Sequence, residues 1–178
     1  FGTPAYLYSQ QTLLTHYQRL RDAFSELKPL ICYAVKASSN VHLCRLLAQA
    51  GCGFDVVSGG ELYRALHAGA APDRIVFAGV GKTDLEIQEA LAAGIAGFNA
   101  ESVSELEQIA RLARAAGRTA QVALRVNPDV DAQTHAYTTT GRKENKFGVD
   151  IGQAHEVFAR FRDEPGLRQA AERRREEV

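Results

Sequence analysis

One local pattern repeats along the chain and limits the folds open to it. A helical stretch closes on Ala-Gly, and a short apolar segment with strand character follows within a few residues. Glycine at such a position permits the left-handed backbone conformation that ends a helix. The pattern predicts helices that alternate with strands over most of the chain. The closing glycines are Gly51, Gly69, Gly94 and Gly117.

The predicted strands indicate an α/β fold with a parallel sheet, because strands joined by crossover helices lie parallel. Units this short and regular favour a (β/α) barrel over an open doubly wound sheet, although the pattern alone is compatible with both. Five predicted strands correspond to part of an eight-stranded TIM barrel. They are Leu30–Ala37, Phe54–Ser58, Ile75–Gly79, Gly97–Ala100 and Gln121–Val126.

The first of these strands carries a lysine near its end. Because side chains alternate between the two faces of a strand, Cys32, Ala34 and Lys36 share one face. The small residues suit the interior of a barrel, and Lys36 then lies at the carboxyl rim, where barrel enzymes have their catalytic groups. Lysines are mostly surface residues, so the alternation alone also fits a solvated lysine at a strand end.

Polar side chains occupy equivalent positions on three other strands. The same alternation places Asp55, Asn99 and Arg125 on the inward face, and we expect them to converge with Lys36 at one rim. A buried charge needs a partner or a function. Four polar groups at one rim favour a binding or catalytic site over packing, and a structural network of the same residues is the alternative.

The pattern divides the chain into three parts. Residues 1–29 are predicted to hold a short strand at Tyr6–Tyr8 and a helix that leads into the barrel. The partial barrel covers residues 30–168. A charged helical stretch is predicted from Leu167 onward, and we assign residues 169–178 to a tail of unclear origin.

A long polar segment interrupts the barrel portion at residues 127–148. Loops above about 12–15 residues without secondary structure are usually active-site lids or linkers. This segment directly follows the strand of Arg125, so we interpret it as a lid over the predicted rim. The residues at 151–162 have helical spacing and return the chain to the alternating pattern.

Charge and cysteine content weigh against several classes of protein. The chain carries 21 Lys and Arg against 21 Asp and Glu, so no overall field favours nucleic acid or an anionic membrane surface. Its three cysteines are odd in number and form no C-x-x-C pair, which favours reduced thiols in a cytoplasmic protein over a disulfide framework or a metal site. No apolar run approaches the ~18 residues of a membrane span.

Several ordered motifs resemble those of the pyridoxal-phosphate-dependent decarboxylases with the alanine-racemase-like barrel fold. A block in the polar segment is similar specifically to the diaminopimelate decarboxylases, and the resemblance extends from about residue 3 to residue 167. The motifs are Tyr33-Ala34-Val35-Lys36-Ala37, Gly53-Phe54-Asp55-Val56-Val57-Ser58-Gly59-Gly60-Glu61-Leu62, Arg125-Val126-Asn127-Pro128, and Thr140-Gly141-Arg142-Lys143-Glu144-Asn145-Lys146-Phe147-Gly148 after Asp131, Thr134, His135 and Tyr137.

The resemblance implies a cofactor, pyridoxal 5'-phosphate, and residues that hold it. Lys36 matches the lysine that carries the cofactor as a Schiff base and is the implied catalytic residue. Arg125 matches the arginine near the phenolic oxygen of the cofactor, and Asp55, Ser58 and Glu61 match residues near the cofactor. Such chemistry needs a deprotonated lysine, which a cationic neighbour favours.

The implied activity is the decarboxylation of meso-2,6-diaminopimelate to L-lysine and CO2 in lysine biosynthesis, by a homodimer. Members of the family are longer, and their phosphate-binding loop and second β-domain have no counterpart here. We therefore expect a fragment of a larger enzyme, inactive in isolation. The alternatives are a decarboxylase of another basic amino acid, such as ornithine or arginine, and a non-catalytic barrel fragment that binds a related subunit.

Overall fold

A computed structural model describes residues 2–127 and 148–169 of the protein. Six helices and eight strands lie within these ranges, with short 3₁₀ turns at Ser25–Leu27, Val35–Ala37 and Pro72–Arg74. The elements are α1 Gln10–Ala23, β1 Cys32–Ala34, α2 Val41–Gln49, β2 Gly53–Val56, α3 Gly59–His67, β3 Ile75–Phe77, α4 Asp84–Ala93, β4 Gly97–Ala100, α5 Val103–Ala115, β5 Ala120–Leu124, β6 Val126–Asn127, β7 Val149–Asp150, α6 Ile151–Arg160 and β8 Leu167–Gln169.

The main sheet distinguishes between the two α/β architectures that the sequence left open. Its six strands are all parallel and follow the order β1-β2-β3-β4-β5-β8, so each new strand joins the same edge. A doubly wound sheet reverses its strand order at a switch point, whereas a barrel does not. The fold is therefore a partial (β/α) barrel, as predicted. Strands β6 and β7 form a separate parallel pair.

The core lies between the sheet and its helices, as strand alternation requires. Phe54, Phe77 and Phe98 point from β2, β3 and β4 to the helical side and are almost fully buried. Ile87 of α4 and Ile109 of α5 belong to the same apolar cluster. Burying such side chains contributes about 1.5–3 kcal/mol each. The opposite face of the sheet holds the half-buried residues that form the candidate site.

The sheet has one strand more than predicted. Leu167–Gln169 was expected to be helical, yet it forms β8 and pairs with β5, with Ala120 opposite Leu167. Leu167 is buried, so the segment gains both hydrogen bonds and core packing at the sheet edge. Those tertiary interactions outweigh the helix preference of its charged neighbours. Gly166 lets the chain approach α5 here, since a Cβ would lie 2.6 Å from the carbonyl oxygen of Ala110.

Two further predictions were wrong in detail. The segment 6–8 was expected to be a strand, but it is irregular and Leu7 is 98% exposed. The strand of Lys36 is shorter than predicted, because β1 ends at Ala34 and Lys36 lies in the following 3₁₀ turn. The predicted helix at 151–162 is confirmed as α6.

Most of the predicted lid, at 128–147, lies outside the described residues, and so do residues 170–178 of the tail. Within the part of the chain that the structure describes, none of the helices combines the length and the apolar composition needed to cross a membrane.

Candidate active site

A cavity of about 400 Å³ opens at the carboxyl ends of the main strands. Its lining residues lie at the same height on neighbouring strands, because the strand register places Ala34 opposite Asp55 and Asn99 opposite Ala123. All four side chains that were predicted to converge contribute to the wall. The lining residues are Lys36, Asp55, Val57, Ala78, Gly79, Asn99, Glu101, Ala123, Leu124 and Arg125.

Lys36 is presented to the cavity by a turn that is anchored on both sides. The preceding Val35 is fully buried in the core. On the other side, the hydroxyl of Tyr33 donates a hydrogen bond to the carbonyl oxygen of Ser38 at 3.1 Å. The Lys36 side chain itself is exposed. The amine therefore stands at the cavity mouth on a fixed backbone, where a ligand can reach it.

Asp55 contributes an acceptor that is incompletely satisfied. Its Oδ1 is buried and makes no hydrogen bond within the described residues. Burial raises the pKa of the Asp55 carboxyl, and the charge of Lys36 is the largest influence that lowers it. A buried polar atom without a partner is uncommon in native proteins. Such an atom in a cavity wall points to a hydrogen-bonding ligand.

Arg125 lies just after β5 and supplies a positive charge to the cavity. Its backbone N–H donates to the carbonyl oxygen of Ala100 at 2.8 Å, which continues the β4–β5 ladder beyond its last paired residues. Nη1 donates to both carboxylate oxygens of Glu101, at 3.0 and 2.9 Å. The carboxylate is buried while the Arg125 side chain is 42% exposed. The guanidinium is thus fixed by an ion pair but still faces the open space.

Ser58 and Glu61, the two other predicted cofactor residues, do not line the cavity. Ser58 caps helix α3, because its Oγ accepts a hydrogen bond from the Glu61 N–H at 3.2 Å. The Glu61 carboxylate in turn accepts from the N–H of Val57 at 2.9 Å. Glu86 of α4 accepts from Gly59 N–H at 2.8 Å. These bonds fix the turn between β2 and α3, which carries Val57 into the cavity wall.

A buried ion pair lies next to the cavity, and the sequence patterns did not predict it. The ammonium of Lys82 contacts the carboxylate of Glu105 and donates to the carbonyl oxygens of Gly79 and Asn99, at 2.8 and 2.9 Å. The available signal was the Ser102-x-x-Glu105 spacing that marks a helix start. The Oγ of Ser102 does accept from the Glu105 N–H, at 3.2 Å. No spacing in the sequence linked Lys82 to that helix start.

Comparison with known proteins identifies the family. The model of the pyridoxal-dependent decarboxylase, pyridoxal binding domain, matches residues 10–169.

The chain belongs to the pyridoxal-dependent decarboxylase family.

Three relatives within the pyridoxal-dependent decarboxylases illustrate the similarity. The chain is 49% identical over 168 residues to a diaminopimelate decarboxylase of Neisseria meningitidis, covering 94% of this chain and 41% of the relative. It is 51% identical over 160 residues to that of Pseudomonas aeruginosa, covering 90% and 39%. The crystal structure of the Helicobacter pylori diaminopimelate decarboxylase complexed with L-lysine superposes with a TM-score of 0.92 at 44% identity, covering 95% of this chain and 43% of that one. The chain thus spans about two fifths of these relatives.

The cofactor implied by this family is the one that the motifs predicted. The polar groups in the cavity also fit it. An accessible lysine amine can bind an aldehyde covalently. A guanidinium such as that of Arg125 suits an anionic oxygen, and the unsatisfied Asp55 oxygen suits a protonated ring or hydroxyl group.

Proposed function

We propose that the full-length protein containing this chain decarboxylates meso-2,6-diaminopimelate to L-lysine and CO2, with pyridoxal 5'-phosphate as cofactor. The observation that carries the proposal is the placement of Lys36, Asp55, Asn99 and Arg125 around one cavity. The substrate is inferred from relatives that are named diaminopimelate decarboxylases. One of their structures is described as a complex with L-lysine, which is the proposed product.

Lys36 is proposed as the residue that holds the cofactor covalently through Nζ. The anchored turn holds its backbone at the cavity mouth, within reach of the cavity for the Lys36 side chain. Bringing a nucleophile and its target together in this way lowers the entropic part of the reaction barrier. When bound, pyridoxal phosphate supplies an electron sink for the electron pair left by the departing CO2.

Arg125 and Asp55 are proposed to orient the cofactor through opposite charges. Arg125 would donate N–H groups to an anionic oxygen of the cofactor, while its ion pair with Glu101 holds the guanidinium at the cavity wall. Asp55 offers its unsatisfied Oδ1 as an acceptor. Ser58 and Glu61 support the cofactor indirectly, because they fix the turn that leads from β2 to α3.

Assembly and location are further proposals for the full-length protein. We propose a homodimer in the cytoplasm that acts on a small amino acid and has neither nucleic acid nor membrane as a partner. The equal numbers of acidic and basic residues support the part of this proposal that excludes nucleic-acid and membrane partners. The three cysteines, all free in the structure, support the cytoplasmic location, because they suit a reducing compartment.

The experiment measures CO2 release by the full-length protein, loaded with cofactor, from diaminopimelate, ornithine and arginine. We expect diaminopimelate to be the preferred substrate by kcat/KM. Lys36→Arg should abolish turnover, whereas Lys28→Arg, which changes an exposed lysine away from the cavity, should leave it intact. Preference for ornithine or arginine would replace the proposed substrate. A protein that dimerises but takes up no cofactor would favour the non-catalytic alternative.

A further inference from the structure

Lys82 is buried although it carries a charge, and it has no place in the proposed chemistry. It is 5% exposed and lies between β3 and α4. Its ammonium has three hydrogens, and it has three acceptors: the carboxylate of Glu105 and the carbonyl oxygens of Gly79 and Asn99. The ammonium also lies 5.7 Å from the centroid of the Phe77 ring. With all three hydrogens engaged by protein acceptors, the ammonium has no donor left for a ligand and holds the groups that it contacts.

Glu105 links Lys82 to the backbone of Glu101, which lies just after the end of β4. One carboxylate oxygen accepts from the Lys82 ammonium, and the other accepts from the backbone N–H of Glu101 at 3.3 Å. Its own N–H is held by Ser102 at 3.2 Å, at the start of α5. Both ends of the Glu105 side chain are therefore fixed, and its carboxylate holds the backbone from which Glu101 projects.

Glu101 then connects this arrangement to the cavity. Its carboxylate accepts from Nη1 of Arg125, and both residues line the cavity wall. Lys82 and Glu105 do not line it. Two cations and two carboxylates thus form a charge network, defined as Lys82, Glu105, Glu101 and Arg125, with no net charge. Its buried end lies in the core and its exposed end at the site.

We propose that Lys82, acting through Glu105 and Glu101, is a positioning residue for Arg125. Because Lys82 also binds the carbonyl oxygens of Gly79 and Asn99, it sets the spacing of two cavity-lining strand ends, those of β3 and β4. Removal of its charge leaves Glu105 uncompensated in the core and frees the Glu101 backbone. The inference rests on the proposed function only for the assignment of Arg125 to cofactor binding; the positioning of Arg125 is a property of the protein alone.

The first test observes Arg125 in the cofactor-free, full-length protein by NMR. The guanidinium N–H resonances of 15N-labelled arginine report whether that side chain is held, and Arg125→Lys identifies its signals. We expect Lys82→Met to move the Arg125 signals toward those of a solvated arginine. Arg111→Met, which breaks an exposed ion pair with Asp84 between α4 and α5, should leave them unchanged. Unchanged Arg125 signals in Lys82→Met would overturn the proposal.

A paired variant covers the case in which Lys82→Met does not fold. Lys82→Met with Glu105→Leu replaces both buried charges by apolar side chains, an exchange that proteins often tolerate without loss of stability. The Glu101 N–H then lacks its acceptor, so Arg125 should again show the signals of a solvated arginine. Arg125 signals identical to those of the wild type in this folded variant would overturn the proposal.

The second test is a double-mutant cycle on the affinity for pyridoxal phosphate. We expect Lys82→Met to weaken binding about 10- to 100-fold. In an Arg125→Lys background the same change should cost no more than about twofold, because Lys82 acts through Arg125. Equal losses in both backgrounds would indicate a general structural role and overturn the proposal. If Arg125→Lys alone leaves cofactor affinity unchanged, the proposed function of Arg125 fails, while the NMR result still decides the positioning role.

Discussion

Glu101 and Arg125 form an ion pair in which one partner belongs to the core and the other to the site. A single guanidinium nitrogen of Arg125 donates to both oxygens of Glu101, at 3.0 and 2.9 Å. The carboxylate is 5% exposed and the Arg125 side chain 42%. Because water screens the exposed arginine, the Coulomb attraction within this pair contributes little to the free energy of unfolding. Its effect is to fix a positive charge at a cavity that Lys36 and Asp55 also line.

Glu101→Gln should impair cofactor binding far more than folding. The amide keeps one acceptor for Arg125 but loses the charge, so we expect affinity for pyridoxal phosphate to fall about tenfold or more. The free energy of unfolding should fall by about 1 kcal/mol or less. Both quantities can be measured in the full-length protein, by equilibrium dialysis and urea denaturation. Glu107→Gln is the matched control, because Glu107 pairs with Arg160 at a distant, exposed position. Equal effects of the two substitutions on affinity would contradict the role of Glu101.

Lys82→Met should be among the most destabilising substitutions in the described residues. It leaves the Glu105 carboxylate buried without its cation, which costs about 3–5 kcal/mol in comparable cases. Adding Glu105→Leu should recover most of that loss, since neither buried charge remains. Urea denaturation of the three proteins measures both values. A single variant as stable as the wild type would show that water or another cation compensates Glu105.

Asp55→Asn should stabilise the cofactor-free protein at neutral pH. Burial raises the pKa of Asp55 in the folded state, so the ionised form at pH 7 opposes folding. The stability associated with this carboxyl is present below its unfolded-state pKa of about 3.9 and is lost as pH rises through the higher folded value. The gain from Asp55→Asn should therefore shrink toward acidic pH.

Asp84→Asn is the control for Asp55, with the opposite sign. Hydrogen bonds from Arg111 and Gln108 lower the pKa of Asp84 in the folded state. Its stabilising contribution is present above the unfolded-state pKa and is lost as pH falls through the folded value. Asp84→Asn should accordingly destabilise the protein slightly at pH 7, and this loss should vanish in acid. The same pH trend for Asn at both positions would contradict the assignment of the Asp55 shift to burial.

Gly166→Ala should displace β8 from the sheet. A Cβ at this position would lie 2.6 Å from the carbonyl oxygen of Ala110, a backbone atom that cannot move aside. Overpacking of this kind costs about 1–3 kcal/mol. Gly60→Ala is the control, since among the described residues the nearest atom to a Cβ at this position in α3 is the Ser58 Oγ, at 3.9 Å, and alanine favours the helix. Urea denaturation compares the two variants; equal stabilities would contradict the close approach at Gly166.

The sequence was sufficient for the alternating strands and for the residues that their inward faces bring together. Asp55 and Asn99 line the cavity because side-chain alternation in a strand is a local rule. The strand β8 was missed because its pairing with β5 is tertiary and overrides the charged composition around Arg168. Lys82 was missed for a related reason. Its acceptor Gly79 is local, but Asn99 of β4 and Glu105 of α5 lie 17 and 23 residues further along the chain, and no local spacing encodes that meeting.

The difference between local and tertiary information also explains why two predicted site residues lie outside the cavity lining. Ser58 and Glu61 match the family motif, yet in the structure their hydrogen bonds fix the start of α3. A sequence motif shows only that certain residues occur together. Some of them contact a ligand, and others fix the backbone that carries the contacting residues. Lys36 was placed at the correct rim by alternation although it lies in a turn beyond β1.

The identity of the lysine that binds the cofactor tests the central claim most directly. The full-length protein is loaded with pyridoxal phosphate, reduced with borohydride, digested, and mapped by mass spectrometry. Our account predicts the reduced pyridoxyl group on the peptide that contains Lys36, and its loss in Lys36→Arg but not in Lys28→Arg. A pyridoxyl group on any other lysine, or none in a protein that retains decarboxylase activity, would contradict it.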